Sequence, residues 1–167
     1  MSLLLSAIGA TLVAVLDVTL GGRYLTIGNA TPHLTLVVGV IWSIAAGIER
    51  GVIWAFVGGL VLDALLGRPL GASAFALLVA VGGAQLVAQP MARLRLLAPV
   101  LAVPVFSLVY SMLILVLGST GQGAGTVADP LGLFLPGAIY DGVLGLFLGP
   151  LIVNAHDRQV AVERVDW

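Results

Sequence analysis

Residues 59–71 read GLVLDALLGRPLG and place a single carboxylate, that of Asp63, among regularly spaced glycines in an apolar stretch. Residues 137–149 read GAIYDGVLGLFLG and repeat this pattern 78 positions later, with six of the thirteen positions identical. A charged side chain at the centre of a membrane helix costs about 3 kcal/mol on insertion scales, so it must face protein or water and find a partner. The partners of Asp63 and Asp141 are therefore central to both the fold and the function of the chain.

The composition around these two motifs is that of a membrane protein. The chain has 167 residues, of which 60% are hydrophobic and 9% are charged, and its mean hydropathy is +1.15. Cysteine is absent, which excludes disulfides, thiolate metal sites and cysteine nucleophiles. The net charge of −1 gives no electrostatic footprint for nucleic acid. The composition therefore predicts an integral membrane protein that does not bind nucleic acid.

Six apolar windows are long enough to cross a bilayer, whose hydrocarbon core of about 30 Å needs about 20 residues per helix. We therefore predict an all-α integral membrane protein, a compact bundle of six transmembrane helices in residues 1–153, with a short cytoplasmic tail in 154–167. The N-terminus lacks the cationic region of a cleavable signal peptide, so the first window is expected to be retained. The windows are approximately 3–20, 32–48, 51–68, 70–90, 96–117 and 131–153.

The arginines predict the orientation of the bundle, because cytoplasmic connections are enriched in cations. If both termini are cytoplasmic, five arginines lie on the cytoplasmic side and two on the outer side. Trp42 and Trp54 flank Glu49-Arg50 and are expected near the inner membrane interface. The cytoplasmic arginines would be Arg50, Arg93, Arg95, Arg158 and Arg164, and the outer ones Arg23 and Arg68.

The connections between the windows are short in the middle of the chain. Glu49-Arg50-Gly51 is expected to join the second and third helices, and Pro69 is expected to end the third helix at Arg68. The segment 118–130, GSTGQGAGTVADP, is polar and glycine-rich and is expected to form an outer loop. Joints this short predict that neighbouring helices pack in antiparallel pairs.

The repeated motif has two interpretations. If the first three windows (residues 3–68) and the last three (residues 70–153) are equivalent halves, the odd number of helices in each half makes the halves inverted, as in many transporters. Alternatively, small residues at four-residue spacing arise by chance in a chain with 22 glycines. The motif alone does not decide between a possible inverted 3+3 repeat and chance.

Three interpretations compete for the intramembrane carboxylates of Asp63 and Asp141, and Asp17 lies near the end of the first window. They could accept hydrogen bonds from backbone amides or hydroxyls and organise the bundle. They could be held for a helix of a partner protein. They could also couple a proton or an ion, although a relay normally contains more than isolated carboxylates. The first interpretation is favoured.

The glycines around both aspartates form stripes along their helices. Without bulky side chains, helix backbones approach closely and gain dispersion contacts. We predict that these stripes are helix-packing or partner-interface surfaces; the spacing does not say whether the packed neighbour is internal or another subunit. The predicted residues are Gly59, Gly67, Gly71, Gly137, Gly145 and Gly149.

The sequence does not predict an enzyme, a metal site or a cofactor. His33 and His156 each lie near the end of a window, without a second histidine at a ligand spacing. No serine or threonine has a base placed beside it in the sequence. A catalytic function is therefore not expected.

The chain resembles the family of the rod shape-determining protein MreD. The resemblance rests on Thr31-Pro32-His33-Leu34, on Glu49-Arg50-Gly51, and on residues 58–78, GGLVLDALLGRPLGASAFALL. It also rests on the last window, with Leu135-Pro136, Tyr140-Asp141 and Pro150. In that family a Pro-led second span precedes a Gly-rich third span with a Gly-Leu-x-x-Asp-like element and a following glycine, here Gly59-Leu60, Asp63 and Gly71. The chain departs from the expected pattern in lacking lysine and in its acidic tail.

The resemblance implies a non-catalytic scaffold subunit of the bacterial cell-elongation complex in the plasma (inner) membrane. Its implied partners are MreC, a single-span protein, and, directly or through it, MreB, a RodA-type glycosyltransferase and a class B penicillin-binding protein. The implied role is to bind MreC and to help organise peptidoglycan synthesis, with membrane lipid around the bundle.

Two alternatives remain at the level of sequence. The first is the substrate-binding S-component of an energy-coupling-factor vitamin transporter, which has the same size and span count and is thought to be similar in fold to MreD. Residues 10–14, ATLVA, could supply its small-residue coupling surface, but the outer loops offer few polar residues for a vitamin, mainly Tyr24, Asn29 and Gln122. The second is a small channel or ion-coupled carrier built on Asp63 and Asp141.

Overall fold

Six α-helices make up nearly all of the protein that the structure describes. A computed structural model describes residues 2–21, 24, 26, 30–89, 98–119 and 129–163, and for Ser2, Ser119 and 157–163 it describes the backbone only. These residues form an all-helical bundle, as predicted. The helices are α1 (Ser2–Leu16, continued by a π-helical turn at Asp17–Gly21), α2 (Leu34–Ala46), α3 (Ile48–Leu66), α4 (Ala72–Ala88), α5 (Ala98–Ser119) and α6 (Pro130–Glu163).

Three of the helices are long and apolar enough to cross a membrane. They are the segments Leu3–Gly21, Ala98–Gly118 and Pro130–His156, of 19, 21 and 27 residues. α2 is much shorter, because its 13 residues span only about 20 Å at 1.5 Å per residue. A bilayer core is about 30 Å thick, so an end of α2 placed within it must be satisfied by protein groups.

Helices that follow one another in the sequence run in opposite directions. Ser43 in the second half of α2 lies beside Gly51 at the start of α3, and Thr35 at the start of α2 lies beside Gly58 further along α3. The other antiparallel pairs show the same order of contacts: Gly59 with Ala74 for α3 and α4, and Pro104 with Gly142 and Pro99 with Gly149 for α5 and α6. α1 and α3 therefore end where α2 and α4 begin, and we call this the capped end of the bundle.

α2 lies at the centre of the bundle. It packs against α1, α3, α4, α5 and α6, and these five helices follow one another around it in the order α1, α3, α4, α5, α6. Nine of its thirteen residues are buried, and Leu36, Val37, Val40 and Ile41 from this helix belong to the hydrophobic core. The shortest apolar helix is thus the one most enclosed by protein.

The joints beside α3 differ from the sequence expectation by a few residues. Gly47 alone (φ 97°) separates α2 from α3, and Glu49 and Arg50 already lie in the first turn of α3. α3 ends at Leu66 and not at Arg68, because Gly67 adopts the left-handed conformation (φ 63°). Glycine reaches this conformation without the Cβ clash that other residues suffer, so it ends the helix before Pro69 does.

The placement of Trp54 at a membrane interface was wrong. Trp54 is buried, with 5% of its surface exposed, and its indole Nε1 donates a hydrogen bond to the carbonyl oxygen of Thr35 at 3.0 Å. The ring fits because Gly9 on α1 and Gly39 on α2 lie against it, where a Cβ would approach the ring within 2.9 and 2.7 Å. Trp42 is half-buried, and its indole Nε1 donates a hydrogen bond to Ser6 Oγ at 3.0 Å.

Some sequence predictions fall outside the described residues. Arg23, Arg93, Arg95 and Arg164, on which the orientation depends, are among them, and so is most of the loop 118–130. The backbone of α6 continues helically to Glu163, so the first ten residues of the predicted tail prolong the last helix.

Candidate functional site: carboxylates that cap helices

Asp63 caps the helix that follows its own. Its Oδ2 accepts a hydrogen bond from the amide of Gly71 at 2.8 Å, and its Oδ1 accepts one from the amide of Ser73 at 2.9 Å. The side chain is fully buried. Because the first amides of a helix have no intrahelical acceptor, this carboxylate satisfies groups at the start of α4 and interacts favourably with the helix dipole.

The turn from Gly67 to Gly71 brings this carboxylate to the start of α4. Both glycines have positive φ, 63° and 97°, so the chain reverses within a few residues. Gly59 lies so close to α4 that an added Cβ would overlap the backbone of Ala74. The absence of a side chain at Gly59 thus lets α3 approach α4 closely enough for the cap to form.

Asp17 caps the start of α2 from α1. Its two carboxylate oxygens accept hydrogen bonds from the amides of Leu34 at 3.1 Å and Thr35 at 2.9 Å. Asp17 lies in the π-helical turn that prolongs α1. The start of α2 is therefore held by a side chain of the preceding helix, as the start of α4 is held by Asp63.

Asp141 reaches the same end of α2 from α6. It accepts hydrogen bonds from the backbone amide of His33 at 2.8 Å, from His33 Nδ1 at 2.9 Å and from the Ser107 hydroxyl. Asp141 and Ser107 are buried. The first three amides at the start of α2, those of His33, Leu34 and Thr35, are thus divided between a carboxylate of α1 and a carboxylate of α6.

Further polar side chains join these caps at the capped end. The His33 ring meets the edge of Tyr110 on α5, with ring centroids 5.3 Å apart, and Arg68 Nη1 donates a hydrogen bond to Ser73 Oγ at 3.3 Å. We call the whole group the polar cluster. Its members are Asp17, His33, Asp63, Arg68, Ser73, Ser107, Tyr110 and Asp141.

The chemistry of the polar cluster is that of a hydrogen-bonded structural network. Hydrogen bonds to charged groups contribute about 1.5–3 kcal/mol each, and backbone groups left unpaired in a membrane cost several kcal/mol. Each of the three carboxylates accepts bonds from at least two donors. This bonding fits the interpretation in which the aspartates organise the bundle.

Ser107, His33 and Asp141 have the residue types of a hydrolase triad but not its arrangement. In a triad the serine hydroxyl bonds the histidine and the histidine bonds the carboxylate. Here the Ser107 hydroxyl and His33 Nδ1 both donate to the same oxygen, Asp141 Oδ2, so the histidine is not positioned as a base for the serine. Within the described residues no group of three His, Cys, Asp or Glu could hold a metal ion.

The predicted glycine stripes divide into two kinds of position. Gly67 and Gly71 have positive φ and no atom within 4 Å of an added Cβ, so a substitution there strains the backbone whatever lies nearby. The other four lie against atoms of this same chain: Gly59 against Ala74, Gly137 against the Thr31 carbonyl, Gly145 against Val103 and Gly149 against Pro99. That these glycines also contact a partner protein stays a prediction.

The sequence interpretation missed four members of the polar cluster. His33 had been treated as a lone histidine, but it bonds Asp141, which lies 108 positions later. Ser73, Ser107 and Tyr110 had not been singled out. The available signal was that each is a polar group inside an apolar window, which in a membrane must find a partner.

Comparison with known proteins identifies a family for nearly the whole chain. A family model described as rod shape-determining protein MreD matches residues 1–154. No curated protein and no solved structure matches. The predicted likeness to the S-component fold and the inverted repeat therefore have no support from a known structure.

Proposed function

The chain belongs to the family of the rod shape-determining protein MreD, and from this premise we propose that it is a non-catalytic scaffold subunit of the bacterial cell-elongation complex. The family consists of structural, shape-determining membrane proteins and is not a known enzyme family. The match over residues 1–154 covers all six helices up to the last turns of α6. It is the observation that carries the proposal.

The scaffold would bind the transmembrane helix of MreC. Through MreC, or directly, it would connect MreB, a RodA-type glycosyltransferase and a class B penicillin-binding protein, and so help to organise peptidoglycan synthesis. A bundle with exposed apolar side chains on α1, α3, α4, α5 and α6 offers mainly helix surfaces for recognition. In a membrane, such surfaces associate through close packing and interhelical hydrogen bonds.

The proposed location is the bacterial plasma (inner) membrane, with both termini in the cytoplasm. The five-to-two distribution of arginines supports this orientation. In this orientation the capped end of the bundle faces outward. The polar cluster would then lie in the outer half of the membrane, close to its outer surface.

The polar cluster supports a scaffold rather than an ion-coupled carrier. A coupling carboxylate must release its partners when it binds or loses a proton, whereas Asp63 and Asp17 each hold two backbone amides at a helix start. Loss of these bonds would expose unpaired amides in an apolar surrounding. No observation favours the vitamin-binding alternative.

Co-purification with MreC tests the proposed function. The tagged chain would be co-expressed with the MreC of the same organism and purified in mild detergent, with an unrelated single-span membrane protein co-expressed as the control. We expect MreC to be retained through affinity and size-exclusion steps while the control is lost. Recovery of MreC no greater than that of the control would contradict the proposal.

A further inference from the structure

The ring of helices around α2 is interrupted at one place. Each consecutive pair in the order α1, α3, α4, α5, α6 packs together, and all five helices pack against α2. Between α1 and α6, the first and last helices, the described residues form no comparable contact. The ring is therefore open on one side, which we call the α1–α6 seam.

The width of the seam follows from the packing of cylinders. Six cylinders of equal diameter surround a central one, and helix axes in contact are about 8–10 Å apart. Five helices surround α2, so the ring leaves about one helix position between α1 and α6. A helix with its side chains is about 10–12 Å across, so a vacancy of one helix position would admit a single helix.

The exposure of α2 independently locates the same opening. Leu34, Val38, Trp42 and Ala46 are half-buried, whereas Thr35–Val37, Gly39–Ile41 and Ser43–Ala45 are buried. Residues four apart lie on one face of a helix, so the four half-buried residues form a single apolar stripe. This stripe is the floor of the seam, because the other faces of α2 are covered by its neighbours.

Polar contacts fix both walls of the seam to its floor. At the capped end, Asp17 of α1 and Asp141 of α6 hold the start of α2. Towards the other end, Trp42 donates to Ser6 of α1 and meets the ring of His156 of α6 edge-on, with centroids 5.6 Å apart. The walls are thus held in place without a helix between them, which lowers the ordering cost of binding one.

We propose that the α1–α6 seam receives one transmembrane helix of a partner protein, which packs along Leu34 and Val38 of α2. This inference rests on the proposed scaffold function and adds the surface through which it acts. The floor carries no charge, so the bound helix is apolar, with small residues facing Val38 that permit close approach. The partner helix completes the ring and makes direct contact with the central helix.

Site-specific photo-crosslinking tests the position of the partner helix. A photoreactive phenylalanine analogue replaces Val38 on the seam floor or, as the matched control, Val105, which is 55% exposed on α5 away from the seam. Each variant is co-expressed with MreC. We expect an adduct with MreC from position 38 and none from position 105. The inference would be overturned if both positions gave equal amounts of adduct with MreC. It would also be overturned if position 38 formed adducts with lipid or with a second copy of this chain but none with MreC.

A blocking pair of variants provides a second readout. Val38→Trp fills the seam and is expected to lower MreC recovery about tenfold, a change of about 1.4 kcal/mol, whereas Val105→Trp is expected to leave recovery unchanged. If Val38→Trp does not yield a monodisperse protein, the crosslinking result decides. Absence of MreC from the wild-type preparation would refute the proposed function itself. Retention of MreC by both variants, with no adduct at position 38, would refute only the seam.

Discussion

Asp17 and Asp141 come from opposite ends of the chain and hold the start of one helix. Asp17 accepts hydrogen bonds from the backbone amides of Leu34 and Thr35. Asp141 accepts hydrogen bonds from the backbone amide and the ring Nδ1 of His33. The first and last helices are thereby fixed to α2, although they hardly touch each other. A short central helix in a membrane protein needs such caps, because lipid offers its orphan amides no partner.

Asp63→Ala is expected to destabilise the protein more than Asp63→Asn does. Alanine leaves the amides of Gly71 and Ser73 without an acceptor, at a cost of about 1–3 kcal/mol for each buried donor, whereas the asparagine side chain keeps one acceptor oxygen. Thermal unfolding in detergent, followed by tryptophan fluorescence, to which the buried Trp54 contributes, measures the difference. Glu49→Ala, at an exposed position in the first turn of α3, serves as the control. Equal midpoints for Asp63→Ala and wild type would contradict the capping role.

The His33 ring and Asp141 are expected to couple energetically. In a double-mutant cycle with His33→Ala and Asp141→Asn, residues in one hydrogen-bond network show interaction free energies of about 0.5–3 kcal/mol. His33→Ala alone should cost less than Asp141→Ala, because the backbone amide at position 33 still donates to the carboxylate. The cycle is measured by reversible unfolding in mixed micelles. Strict additivity of the two substitutions would show that the ring contact contributes nothing.

Gly71→Ala is expected to lower stability through the backbone alone. The residue has φ of 97° and no atom within 4 Å of an added Cβ, and the left-handed conformation costs a residue with a Cβ about 1–2 kcal/mol. Gly82 provides the matched control on α4, because it also has open space around it but no positive φ. Gly82→Ala should leave the unfolding midpoint unchanged or raise it. If a Gly71 variant binds a partner less well, its stability must therefore be measured too, because the loss of binding can follow from the loss of stability.

Gly59→Ala is expected to disturb the contact between α3 and α4. An added Cβ would overlap the backbone of Ala74, which cannot move aside as a flexible side chain can, and overpacking of this kind costs about 1–3 kcal/mol or more. Gly118→Ala, where nothing lies within 4 Å, controls for the loss of glycine itself. Hydrogen exchange at the Gly71 and Ser73 amides should rise in the Gly59 variant if the helices separate. Unchanged protection there would contradict the link between close packing and the Asp63 cap.

The helical architecture was predictable because it follows from local properties of the chain. Long apolar windows separated by glycine, proline and charged residues predict helices and tight joints, and Asp63 lies only eight and ten positions from the amides that it caps. The exact end of α3 was less accessible, since Gly67 and Pro69 both terminate helices and the conformation of the glycine decides between them.

The long-range members of the polar cluster were not predictable in the same way. His33 and Asp141 are 108 positions apart, and nothing local to either residue indicates the other. Trp54 was misplaced because the space that Gly9 and Gly39 leave for its ring exists only once α1, α2 and α3 are packed. The central position of α2 likewise depends on all five neighbours and has no counterpart in the sequence of that helix.

The central claim is that the buried aspartates support a scaffold and perform no chemistry. Its most direct test is the shape of cells that lack the native gene and carry the Asp63→Asn or the Asp141→Asn variant. An amide still accepts and donates hydrogen bonds, so we expect rod shape to be kept in proportion to the amount of folded protein, measured by fluorescence-detected size exclusion. Round cells that contain wild-type amounts of folded variant would contradict the account, because they would show that an ionisable carboxylate is required.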